Sequence, residues 1–194
     1  MSDDEYPILP FYGVFYLQAM LFNTHGALSS LDRVVTKLEG RLGEPWDSSD
    51  GREVLDGVQS IATHAAALAR YFWPADKRYK SRGDHLRKVF KVDESSSLFD
   101  RELRNSLEHF DERLDDYLRH QPMGMFYPEY VGPTFSDNGV PTHRHRAYFT
   151  DTDTFVVLGK KFRIDPICIE VARVHELAND RYQKGIGLSS PNNQ

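Results

Sequence analysis

The chain predicts a mainly α fold: an antiparallel helical bundle of four to five helices with a small β-hairpin inserted before the last helix. Three observations lead there. Apolar residues recur at three- and four-residue steps over long stretches, proline and glycine punctuate those stretches, and one β-rich run at about 147–164 precedes the final helical stretch. With 194 residues, 40% hydrophobic and 12% aromatic, the chain holds enough apolar material for one core. Residues 1–185 are therefore expected to form a single domain, and 186–194 a flexible tail.

The first helix is predicted over 11–38, where Leu17, Leu21, Leu28, Leu31, Val35 and Leu38 keep the helical step and Gly40 and Gly43 supply the stop. A second runs from about Ser49 to Trp73. Ser48, Ser49 and Asp50 mark its start, Val54, Leu55, Val58, Ile61, Ala62, Ala65 and Leu68 its buried side, and Pro74 its end. Residues 77–91 are basic: Lys77, Arg78, Lys80, Arg82, Arg87, Lys88 and Lys91 against the single Asp84, a net of +6. Leu86, Val89 and Phe90 anchor a short helix there.

Capping residues between Asp93 and Ser97 open a third long helix that continues to about His120, before Pro122. Nine acids against Arg101, Arg104 and Arg113 give residues 93–116 a net of −6. Met123 to Arg146 shows no sustained period and reads as an ordered loop. Tyr148–Thr150, Thr154–Leu158 and Lys161–Ile164 are β-rich, and Gly159-Lys160 suits the first two positions of a type II′ turn. Asp165-Pro166 opens the last helix, through Ile169, Ala172, Val174 and Leu177 to about Tyr182.

The net charge of −5 argues against bulk electrostatic coating of nucleic acid or anionic membrane, so any such contact must be local. Cys168 stands alone between Ile167 and Ile169, as a buried inert thiol does in a reducing compartment. The acidic start Met-Ser-Asp-Asp-Glu has the wrong sign for a secretory leader. The apolar run from Phe11 to Phe22 is interrupted by Gln18 and falls short of the ~20 residues that cross a bilayer. A cytoplasmic location without membrane partners is expected.

The stretch Arg104 to Phe110, RNSLEHF, carries the candidate chemistry. With Leu103 at zero and about 100° per residue, Leu107, Phe110, Leu114, Tyr117 and Leu118 fall within about 60° of one line, which faces the core. Arg104 lies near 100°, Glu108 near 140°, Asn105 near 200° and His109 near 240°, all off that stripe. Asn105 and His109 are one turn apart, so the amide can orient the imidazole. Packing two copies of this helix together would bring two Arg104 and two His109 side chains into one groove.

Arg104, Asn105 and His109, with Ser106, Leu107 and Glu108 between, match the Arg-polar-…-His pattern of the HEPN superfamily, and the chain resembles it over residues 10–120 plus the last helix. The resemblance implies a helical bundle that dimerises through the motif helices and, in active members, a metal-independent endoribonuclease of toxin or defence type. On that likeness His109 handles the 2′-hydroxyl or leaving-group proton, Arg104 stabilises the phosphorane charge, and Asn105 positions one of them. An imidazole suits proton transfer at neutral pH, guanidinium stabilises phosphate charge without metal, and RNA supplies its own 2′-hydroxyl nucleophile. Lys80, Arg82, Arg87 and Lys88 would then track the RNA backbone. No cofactor or metal is required.

An alternative reading is a non-catalytic dimeric module for protein interaction or RNA binding, with an antitoxin as one kind of protein partner. It follows from Glu108, Asp111, Glu112, Asp115 and Asp116, which surround His109 with charges that repel a phosphodiester. His143 and His145 form a His-x-His pair, but no third and fourth ligand follows at a telling spacing, so they are read as part of the loop that feeds the hairpin. Phe126, Tyr127, Tyr130 and Phe135 are read as covering one end of the core, with base stacking as the other use of such a cluster.

Overall fold

The computed structural model describes residues 10–41, 48–120, 123–135 and 139–188, with the backbone alone at Pro10, Phe11, Ser48, Arg101 and Arg104. In chain order the elements are α1 (Pro10–Glu39), α2 (Ser48–Phe72), α3 (Lys80–Phe90), α4 (Arg101–Glu108), α5 (Phe110–His120), β1 (Met125–Gly132), β2 (Thr142–Phe149), β3 (Thr154–Val157), β4 (Lys160–Arg163) and α6 (Asp165–Gln183). Short 3₁₀ turns at Lys77–Tyr79 and Ser97–Phe99 precede α3 and α4. The chain is mainly helical with one small four-stranded sheet.

Helix α1 runs against α2 in opposite directions, since Ser30 bonds Ser60 at 2.9 Å while Lys37 pairs with Asp50 and Glu53 at 2.8 and 2.7 Å. Gly57 permits the close approach: a Cβ there would stand 2.5 Å from a methyl of Val34. Helix α6 also opposes α1, through Gln18 to Tyr182 at 3.1 Å and Thr24 to His175 at 2.8 Å. Leu17, Met20, Leu55, Ile61, Leu68, Phe72, Phe90 and Val171 fill the space between these helices and are fully buried. Each such side chain contributes about 1.5–3 kcal/mol by leaving water.

Three expectations are corrected here. The predicted loop 123–146 contains two strands: β1 pairs in parallel with β2, from Met125 opposite Thr142 to Gly132 opposite Phe149. Arg146 explains part of this, because its guanidinium bonds Glu129 of β1 at 2.6 Å, Asp56 at 2.7 Å and Gln59 at 3.0 Å, fastening the sheet to α2. The hairpin turn lies one residue early. Leu158 (φ 48°) and Gly159 (φ 79°) both adopt positive φ, a type I′ turn whose twist suits β3 and β4, so Gly159-Lys160 is not the turn pair.

The third correction concerns the long helix expected from the Asp93–Ser97 region to about His120. It is broken at His109, whose φ of −114° and ψ of 41° leave the helical region. The backbone ladder nonetheless continues, from the His109 N–H to Asn105 and from the Arg113 N–H to His109. The bend lets Leu107 and Phe110 border one cleft with Gln59, His145, Arg146 and Val157. Of the tail expected to be flexible, Leu188 is buried and its carbonyl accepts a bond from His85 at 2.7 Å; residues 189–194 lie outside the described residues, as do Gly43 and Pro122. Among the described residues no helix is long and apolar enough to cross a membrane.

Candidate functional site at the α4–α5 junction

Helix α4 begins at Asp100, whose carboxylate accepts the Glu102 N–H at 2.7 Å and caps the first turn. Leu103 and Ser106 form its buried face, 4% and 1% exposed. Asn105 is half-buried and His109 is 58% exposed, so the polar face runs off the core as the helical wheel requires. The Arg104 side chain lies outside the described residues. The Ser106 hydroxyl is buried and has no hydrogen-bond partner among the described residues, a feature that the spacing of the motif does not reveal.

The helix breaks at His109, which stays on the exposed polar side. As the last cap of α4 it sits outside the regular turn, with Nδ1 3.9 Å from a carboxylate oxygen of Glu112. Glu108 is ion-paired with Arg70 of α2. Glu102 is paired with Lys160 and with Arg113, and the Lys160 ammonium holds its carboxyl below the usual range. Two of the carboxylates near the motif are thus neutralised from other elements.

Two arginines of the basic segment turn to the end of α2. Arg82 donates to the Arg70 carbonyl at 3.0 Å, and Arg87 to the Phe72 carbonyl at 2.6 Å. These are last-turn carbonyls of α2, which lack helical partners and attract cations. Arg82 also stands over the rings of Tyr16, Tyr71 and Tyr79, and Arg87 over Trp73. Lys80 is ion-paired with Asp84 at 2.7 Å, though its side chain remains 74% exposed, and Lys88 is exposed. Lys80 and Arg87 line a cleft with Trp73, Lys77, Asp84 and Glu94, to which neither Asn105 nor His109 contributes.

A second constellation, between α5 and the sheet, escaped the sequence reading. His143 is buried, with Nε2 2.8 Å from the Met123 carbonyl and Nδ1 3.0 Å from the Tyr117 hydroxyl. A carbonyl only accepts, so Nε2 carries the proton and Nδ1 receives the hydroxyl of Tyr117. Burial pushes the Tyr117 pKa up, and it pushes that of His145, packed on the Phe110 ring at 5.0 Å, down. The His-x-His alternation together with the nearby aromatics is the signal that marks this region. Among the described residues no group of three or more His, Cys, Asp or Glu is placed to hold a metal ion. Cys168 is buried, and burial pushes its thiol up to about 11, far from a reactive thiolate at neutral pH.

No protein-family model, curated protein or solved structure matches the chain.

Proposed function

We propose that the chain is a cytoplasmic HEPN-like helical protein that acts as a homodimer to cleave RNA without metal, in the manner of a toxin or defence nuclease. The observation that supports this most is the solvent-exposed imidazole of His109 at the helix break, one turn after Asn105. The Arg70–Glu108 pair supports it too, by removing a negative charge from the approach of a phosphodiester. In this reading His109 moves the proton of the 2′-hydroxyl or of the leaving 5′-oxygen, and Arg104 offsets charge on the phosphorane. The strand is contacted by Lys80 and Lys88, whose side chains are exposed, more than by Arg82 and Arg87, which hold the α2 carbonyls.

The test is incubation of the pure chain with mixed RNA in EDTA. Cleavage is expected to survive chelation and to fall by about 10²-fold or more in both Arg104→Ala and His109→Ala. Absence of cleavage, or cleavage that His109→Ala leaves unchanged, rejects it. A second reading, a non-catalytic dimeric module for protein interaction or RNA binding, is favoured by the exposed Asp111, Asp115 and Asp116 on α5. It requires Arg104→Ala to weaken dimerisation in sedimentation, and a full-strength dimer with lost nuclease activity contradicts it.

A further inference from the structure

We propose that the face between α5 and the first two strands docks a basic, amphipathic segment of a partner protein. Three neighbouring elements leave apolar side chains in solvent there: Leu118 of α5 is 48% exposed, Met123 79%, and Met125 and Phe126 of β1 48% and 53%. Between them opens a cavity of about 170 Å³, walled by Leu114, Tyr117, Phe126, His143 and Leu158. An apolar cavity of roughly 150 Å³ holds a benzene ring, so one leucine or phenylalanine of a partner fills this one. Contiguous apolar surface of this kind marks an interaction site in soluble proteins. Among the described residues strand β1 is also a sheet edge, bonded to β2 on one side alone.

Two polar groups in the wall are already engaged with each other. Tyr117 donates to His143 and His143 to the Met123 carbonyl, so their hydrogen-bonding needs are met within the protein. Arg144 borders the cavity too, but its guanidinium is stacked 4.4 Å from the centre of the Phe135 ring. What the face offers is apolar contact, and the rim selects the partner. With Leu114 at zero, Leu118 falls near 40°, Asp111 near 60° and Asp115 near 100°, so two carboxylates border the apolar stripe. Both are exposed, and neither has an ion-pair partner among the described residues.

A basic segment is attracted by this rim, whereas an acidic peptide or a nucleic-acid strand is repelled by it. A second copy of the chain would set its own Asp111 and Asp115 against the same two carboxylates across a twofold axis. Charge complementarity therefore points to a foreign segment carrying lysine or arginine beside leucine-type side chains. The proposal needs neither His109 nor any nuclease activity.

The probe is a labelled leucine–lysine amphipathic peptide, with its leucine–glutamate counterpart as control, titrated with the full chain and followed by fluorescence anisotropy. The leucine–lysine peptide is expected to bind, with affinity falling about tenfold in Leu118→Glu and again in Asp111→Asn/Asp115→Asn. Asp32→Asn/Glu176→Gln, which neutralises two exposed acids on other helices, is expected to leave it unchanged. Equal binding of the two peptides, no binding, indifference to Leu118→Glu, or an equal loss in Asp32→Asn/Glu176→Gln overturns the proposal. So does a dimer in sedimentation that Leu118→Glu dissociates, which would give the face to a second copy. Because Leu118, Asp111 and Asp115 are exposed, circular dichroism should show each variant folded.

Discussion

Seven basic residues lie between Lys77 and Lys91 and nine acidic ones between Asp93 and Asp116, yet the two runs serve opposite purposes. In the basic run Arg78 is tied to Asp76, Lys80 to Asp84, and Arg82 and Arg87 to carbonyls at the end of α2. In the acidic run Asp111, Asp115 and Asp116 have no ion-pair partner among the described residues. A charged run beside a helix C-terminus finds work inside the fold when its sign is positive, because free carbonyls wait there. Charges on an exposed amphipathic helix remain available to something outside. Substitutions in α3 should accordingly act on stability, and substitutions in α5 on binding.

The largest effect is expected at Gly83. A Cβ there would lie 2.6 Å from the Phe72 carbonyl oxygen and 2.7 Å from the Pro74 ring, so α3 cannot rest on the end of α2 with a side chain in that position. Gly83→Ala should destabilise by about 3 kcal/mol, the upper end of ordinary overpacking, because backbone on one side and a proline ring on the other give little way. Urea unfolding measures it, and a loss under about 0.5 kcal/mol would mean that α3 is not seated on α2 as described.

Next in size comes Arg87→Ala, which leaves the Phe72 carbonyl without its side-chain donor and Asp84 with Lys80 alone, and should cost about 2 kcal/mol. Arg87→Lys should recover only part of this, since an ammonium cannot bond both groups while lying over the Trp73 ring. In contrast, Asp111→Ala and Asp115→Ala should each change stability by less than about 0.5 kcal/mol. Equal costs in the two helices would erase the distinction.

How far this contrast was legible in the sequence depends on the element. Helices α1 and α2 were, because Leu17, Leu21, Leu28 and Val54, Leu55, Val58 keep the helical step with clear stops. Strands β1 and β2 were not. Pro128 interrupts the alternation, and His143, Arg144, His145 and Arg146 look like a solvated loop until Glu129, Asp56 and Phe135 supply their partners from distant positions. The break at His109 carries no glycine or proline to announce it. Within the candidate site, the exposure of His109 followed from the wheel, whereas the orphaned Ser106 hydroxyl and the Arg70–Glu108 pair depend on which helix lies across α4. Sequence spacing fixes which face a residue is on, and tertiary contact decides what that face meets.

The smallest expected effect separates the two regions by pH. Burial depresses the pKa of His145 below its ordinary 6.5, with the charge on Arg146 acting the same way. A group whose folded pKa is depressed adds stability above its unfolded value and loses it as pH falls. The α5–sheet contact, where His145 packs on Phe110, should therefore weaken as pH drops below about 6.5. Asp84 is held below its ordinary 3.8 chiefly by its bond to Lys80, so by the same sign the α3 contacts keep their strength until pH falls below about that value. Urea midpoints taken between about pH 8 and pH 5 should show a modest decline that His145→Gln removes, because glutamine fills part of the site and cannot titrate in that window. A decline of the same size in His145→Gln would move its origin to another group and leave the α5 face insensitive to mild acid.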